Sequence, residues 1–290
     1  MQRLTGTLLI AGSAVAYSLA GFFTRLIPLD VMTLLFWRGI FAGGTIMAVV
    51  AVQHRGAVWP AMRAVGWTGL WAAGMAVVAS YFYLAAFRHT TVADVSVIYA
   101  TIPFVASGLG WLLLREREGW RVLVASLATL VGVGVMTGGA IGAGHLLGDA
   151  LAFGMVLTFA LTMVLIRRKR AVSMLPAVGL SCLLTSLVAW PFASMGPISA
   201  MQMTQLGLFG VLQLGLGLVL LTLGMRLVSA AQAAMIGLLD APLAPVWVWL
   251  AFNEVPPRLT LIGGAIVMAA VVWNLASAAP AGPQAAPSAV

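Results

Sequence analysis

The sequence predicts an all-α polytopic membrane protein whose ten transmembrane helices form two inverted five-helix repeats. Composition, a chain-long succession of apolar runs and an echo between the halves carry that prediction. Of 290 residues, 62% are hydrophobic and only 8% are charged, and the mean hydropathy is +1.07. Soluble domains carry roughly a quarter of their residues as charges, so no water-soluble core could hide this much apolar surface. Apolar runs of about 17 to 23 residues match a hydrocarbon core about 30 Å thick, and in lipid a helix satisfies its own backbone polar groups.

The first five runs are Thr5 to Thr24, Val31 to Val52, Val65 to Phe87, Val92 to Leu114 and Trp120 to Thr137. The next five are Leu147 to Ile166, Met174 to Phe192, Leu206 to Met225, Ala230 to Phe252 and Leu259 to Leu275. Gly, Pro or charged residues mark the breaks between them. Ala14-Val15-Ala16 has the small residues of a signal-peptide cleavage site. The run continues past it, so an uncleaved first helix is expected. The Pro- and Ala-rich stretch 278–290 is expected to be disordered. Trp59, Trp67, Trp120 and Trp190 stand at run ends and read as interface anchors.

A net charge of +8 in a soluble chain would suggest nucleic acid, but these cations sit in short loops. Eleven of the fifteen Lys and Arg fall on one side: Arg3, Arg55, Arg63, Arg115, Arg117, Arg121, Arg167, Arg168, Lys169, Arg170 and Arg226. Arg25, Arg88 and Arg258 fall on the other, and Arg38 lies within a run. The positive-inside rule then places both termini in the cytoplasm, and the expected location is a bacterial-type inner membrane. No nucleic-acid partner is expected. The single cysteine, Cys182, lies in an apolar run and supports neither a disulfide nor a metal site. No cofactor is expected.

The halves echo one another. Gly12-x-Ala14-x-Ala16-Tyr17 reappears as Gly148-x-Ala150-x-Ala152-Phe153. Phe87-Arg88 before Thr91-x-Ala93 reappears as Met225-Arg226 before Ser229-x-Ala231. Five is odd, so a repeated five-helix unit must lie upside down relative to its partner. In each half a helix-breaking proline precedes a glutamate at the helix end: Pro103 to Glu116, and Pro242 to Glu254 one residue closer. With Trp37-Arg38 in the second helix, these residues resemble the EamA-type members of the drug/metabolite transporter superfamily. The resemblance covers all but the tail, with repeats at 1–139 and 147–277. It implies a secondary transporter rather than an enzyme, and is nearest to the aromatic and neutral amino-acid exporters.

Candidate substrate-binding residues follow from polarity at depth. Asp240 and Arg38 are ionisable groups inside apolar runs, where a charge costs several kcal/mol at about mid-bilayer and is kept for a reason. Asp240 reads as an anchor for a substrate ammonium or as a site for a coupling proton. Arg38 reads as a fork for a carboxylate, with a structural role, capping carbonyls or pairing with Asp240, as the alternative. Tyr17, Tyr81, Tyr83 and Tyr99 lie inside the runs, and each offers an apolar ring with a hydroxyl. Phe153 is the counterpart of Tyr17, and Gln213 adds an amide at depth. Pro103, Pro242 and Pro245 free backbone carbonyls at corresponding places in the halves, which marks them as helix-break or gating positions. An amino-acid zwitterion needs an anion, a cation and an apolar pocket, and this set supplies them. Helices 1 to 4 and 6 to 9 should enclose the cavity. No histidine–acid cluster of a membrane enzyme is visible. The continuous polar stripe of a channel is missing as well.

Overall fold

In the computed structural model, the described residues are 2–90, 92–138, 146–169, 171–194, 196–253 and 255–277. The expected tail at 278–290, His145 and Glu254 lie outside them. Among the described residues, nine helical stretches have the length and apolarity to cross a membrane, and Trp120–Met136 is a shorter tenth. The protein is therefore a ten-span, all-α membrane protein. Ten crossings put both chain ends on one side, called here the termini face.

Five spans are uninterrupted by a break: Val31–Gln53, Trp120–Met136, Leu146–Arg168, Leu175–Ala189 and Arg258–Ser277, which are the second, fifth, sixth, seventh and tenth. Asp30 starts the second by accepting from the Thr33 amide at 2.9 Å and the Thr33 hydroxyl at 2.6 Å. Burial is the largest single effect and raises the Asp30 carboxyl, but the bonds from Thr33, with Ser194 and the Met32 amide, together hold it below the usual range. The third span belongs to Val58–His89, which begins seven residues before its predicted run and turns at Gly66 (φ 60, ψ −165). Only glycine adopts that backbone without strain. The eighth span, Ala200–Gly224, also starts earlier than its apolar run. A capping box in which Ser199 and Gln202 satisfy each other's amides begins it.

Three spans are broken. The first divides into Gln2–Ser18 and Ala20–Leu26, the fourth into Val92–Tyr99 and Ile102–Leu114, and the ninth into Ala230–Gly237 and Asp240–Phe252. The fourth and ninth match element for element, with pieces of eight and thirteen residues. Each ends in a left-handed cap, Arg115 at φ 55 and Asn253 at φ 56. This register makes Asp240 the counterpart of Ile102 and moves Pro242 one position beyond Pro103. The shorter second Pro-to-Glu spacing is thus a displaced proline, not a shifted helix.

Packing follows the repeat. The second span packs on the seventh, the fifth on the tenth, the fourth on the ninth, the third on the sixth and the first on the eighth. Exchanging the two repeats maps this set onto itself, as a two-fold pseudo-axis in the membrane plane requires. Close approach at the fifth–tenth seam needs glycine: a Cβ on Gly132 would lie 2.8 Å from the Gly263 carbonyl oxygen.

Candidate functional site

A cavity of about 640 Å³ lies among the first to fourth and sixth to ninth spans, with Val133 of the fifth at its edge. Its size falls within the range of small-molecule sites, about 300 to 1,000 Å³. Of the residues expected there, Tyr17, Arg38, Tyr83, Tyr99, Gln213 and Asp240 line it. The wall between them is apolar, with small hydroxyls contributed by Ser80, Ser96, Ser181 and Thr185.

Arg38 enters from the second span with its guanidinium 5.3 Å from the centre of the Phe209 ring. Its Nε is buried and has no hydrogen-bond acceptor. The ring face offsets part of the desolvation of the cation, by about 0.5 to 2 kcal/mol. It satisfies none of the donors. Phe209 opens the π-helical stretch Phe209–Leu216 of the eighth span, and π segments favour functional sites. Span eight comes this close because Gly210 faces the Arg38 carbonyl oxygen, where a Cβ would stand 2.8 Å away.

Asp240 sits where the ninth span restarts, in the first turn of Asp240–Phe252. There the partial positive charge of the half-helix favours an anion. Pro245, inside that half-helix, leaves the Ala241 carbonyl without its helical amide. Among the described residues Asp240 makes no ion pair with Arg38. The structural pair is therefore corrected: a guanidinium and a carboxyl group, one from each repeat, line the cavity with no ion pair between them. Tyr17 and Tyr83 line the same cavity as both of them. Tyr99 stacks on Phe159 with ring centroids 6.4 Å apart and an interplanar angle of 26°.

The first span breaks beside Tyr17. The Tyr17 carbonyl accepts from Gln213 Nε2 at 3.3 Å, and Trp247 Nε1 donates to Ser18 Oγ at 2.8 Å. Gln213 is thus also a backbone cap, with its Oε1 buried and unpartnered.

Two expected lining residues lie elsewhere. Tyr81 is 58% exposed and borders a shallow groove with Met32 and Phe192. Phe153 is 50% exposed on the sixth span. At about 100° per residue, Tyr81 points roughly 200° away from Tyr83, so one helix cannot aim both inward. The same spacing turns Phe153 away from Met155 and Phe159, which do line the cavity. Pro103 is buried outside the lining, and Pro242 backs onto Gly264 of the tenth span. Phe159, Phe209, Ser18 and Trp247 also build the site. A helical wheel through Met155 would have flagged Phe159; nothing local marks the other three. Cys182, expected to serve neither a disulfide nor a metal, lines the cavity. No group of three or more potential metal ligands occurs among the described residues.

The sequence profile of the EamA-like transporter family matches residues 4–138 and again 146–276. The chain belongs to this family. Its members are transporters, so the chain is a membrane transporter of the drug/metabolite superfamily, acting on a small molecule within a lipid bilayer. No curated protein sequence matches the transporter. A solved crystal structure superposes on it with a TM-score of 0.78 over 92% of this chain and 96% of the other. Sequence identity is 15%, so that likeness shows the fold alone.

Proposed function

We propose that the transporter exports small amphipathic metabolites, with aromatic and hydrophobic amino acids as the preferred class, by alternating access. One observation carries the reading: Arg38 and Asp240 face one cavity from different repeats and remain unpaired. Two separated opposite charges suit a zwitterion. The guanidinium fork fits a carboxylate, the carboxylate of Asp240 fits an ammonium, and the Tyr99–Phe159 wall offers an aromatic face for the side chain. The repeats 1–139 and 147–277 are the units that rock against each other. Asp240 is the group proposed to take up a coupling proton in exchange. The loop arginines support cytoplasmic termini in a bacterial-type inner membrane.

The test is uptake of radiolabelled amino acids, nucleosides and cationic drugs into reconstituted vesicles, with and without a pH gradient. Saturable uptake of aromatic amino acids, accelerated by unlabelled substrate on the far side, is the expected result. Preference for lipophilic cations would replace the substrate class with drugs. A flux that neither saturates nor exchanges would indicate a channel instead.

A further inference from the structure

The cavity lies mainly in the half of the bundle remote from the termini face, reaching just past mid-depth at Phe159 and Leu218. Leu35 and Arg38 line it from the first turns of the second span, which starts at the far face, and Tyr83 lines it from the last turns of the third. The other half is filled. Ile10, Val50, Met174, Leu175 and Met225 are all buried there.

Beneath that plug, polar groups of both repeats join. Arg167, at the end of the sixth span, places Nε 3.3 Å from Glu116 Oε1, in the loop after the fourth. Its Nη1 donates to the carbonyls of Arg226 at 2.9 Å and Met225 at 3.4 Å, at the end of the eighth. A helix C-terminus carries partial negative charge, so the cation meets one full and one partial anion. The pair is shielded, with side-chain exposures of 11% for Arg167 and 33% for Glu116. The neighbouring Arg168 is exposed. Nearby, burial and the Glu116 carboxylate push the Glu118 carboxyl up, against a hydrogen bond from the Ser229 hydroxyl and the Arg167 cation.

We infer that Arg167 is the latch that holds the termini face shut while the cavity opens to the opposite face. The inference rests on the alternating-access reading. Glu116 belongs to the first repeat and Arg167 to the second, so opening the termini face requires their separation. The planar fork engages the carboxylate and the helix-end carbonyls together, which an ammonium could not do as well.

Cys182 supplies the assay, being the single cysteine of the chain and part of the cavity wall. Labelling by a small charged, membrane-impermeant methanethiosulfonate is followed in right-side-out and inside-out vesicles. Thr185→Cys in a Cys182→Ser background is a second, more exposed reporter. The unaltered latch should give labelling from the far face and at least tenfold slower labelling from the termini face. Arg167→Gln should raise the termini-side rate at least tenfold. Glu116→Gln should raise it less, because the carbonyl bonds remain, and Arg167→Lys should fall between wild type and Arg167→Gln. Retained far-face labelling confirms that a variant is folded. A termini-side rate unchanged in folded Arg167→Gln or Arg167→Lys would overturn the latch while leaving the carrier reading intact. Equal labelling from both faces without any substitution would instead remove the carrier reading itself.

Discussion

Gln213 donates its side-chain Nε2 to the backbone carbonyl of Tyr17, 196 positions earlier in the chain and in the other repeat. The bond replaces one that the broken first span cannot make for itself. Removing it leaves a part-buried carbonyl unmet, at a cost of about 1 kcal/mol. Gln213→Leu is therefore expected to lower the unfolding temperature in detergent, whereas Gln213→Asn keeps an amide and should lose less. Equal stability of Gln213→Leu and wild type would show that the break needs no cap.

Arg38 and Asp240 are predicted to act on transport rather than on folding, since neither pairs with the other. Arg38→Ala and Asp240→Asn should each reduce aromatic amino-acid exchange at least tenfold, with normal elution on size exclusion. Arg38→Lys should not restore the rate, because an ammonium lacks the fork. Assays at several pH values complete the test: full activity of both variants throughout would eliminate the zwitterion pocket.

The cap at Asp30 gives a pH dependence with a defined sign. Its Thr33 bonds hold the folded-state carboxyl below its unfolded value. The associated stability is present above the unfolded value and is lost as pH falls through the folded one. Asp30→Ala should cost about 1 kcal/mol at neutral pH. The difference in melting temperature between wild type and Asp30→Ala should shrink on acidification, and a difference that stays constant would contradict the capping account.

Gly66 turns the chain at φ 60 just before the third span crosses the membrane. A Cβ there meets no neighbour within 4 Å, so any penalty comes from the backbone alone. Gly66→Ala should destabilise by about 1 kcal/mol and Gly66→Val by more, measured as the loss of folded protein on heating. Neutral substitutions would mean that the turn can relax.

The sequence by itself determined the membrane class, the ten spans, the even crossing count and the duplication. Each rests on quantities local to the chain: apolar length, charge position and residue echoes. It also singled out Arg38 and Asp240, because an ionisable group at depth is conspicuous wherever it points. Direction was a different matter. Tyr81 and Phe153 lie deep but turn outward, and only helix rotation, fixed by packing on neighbouring spans, separates them from Tyr83 and Phe159. The break in the fourth span is written in Pro103, whereas the first span breaks without a proline. Its cause lies in Gln213 and Trp247, residues whose proximity to Tyr17 and Ser18 exists only once the two repeats have met. Tertiary structure likewise decided that Arg38 and Asp240 stay apart, since their separation is set by the packing of the second and ninth spans from opposite repeats and leaves no trace in either segment alone.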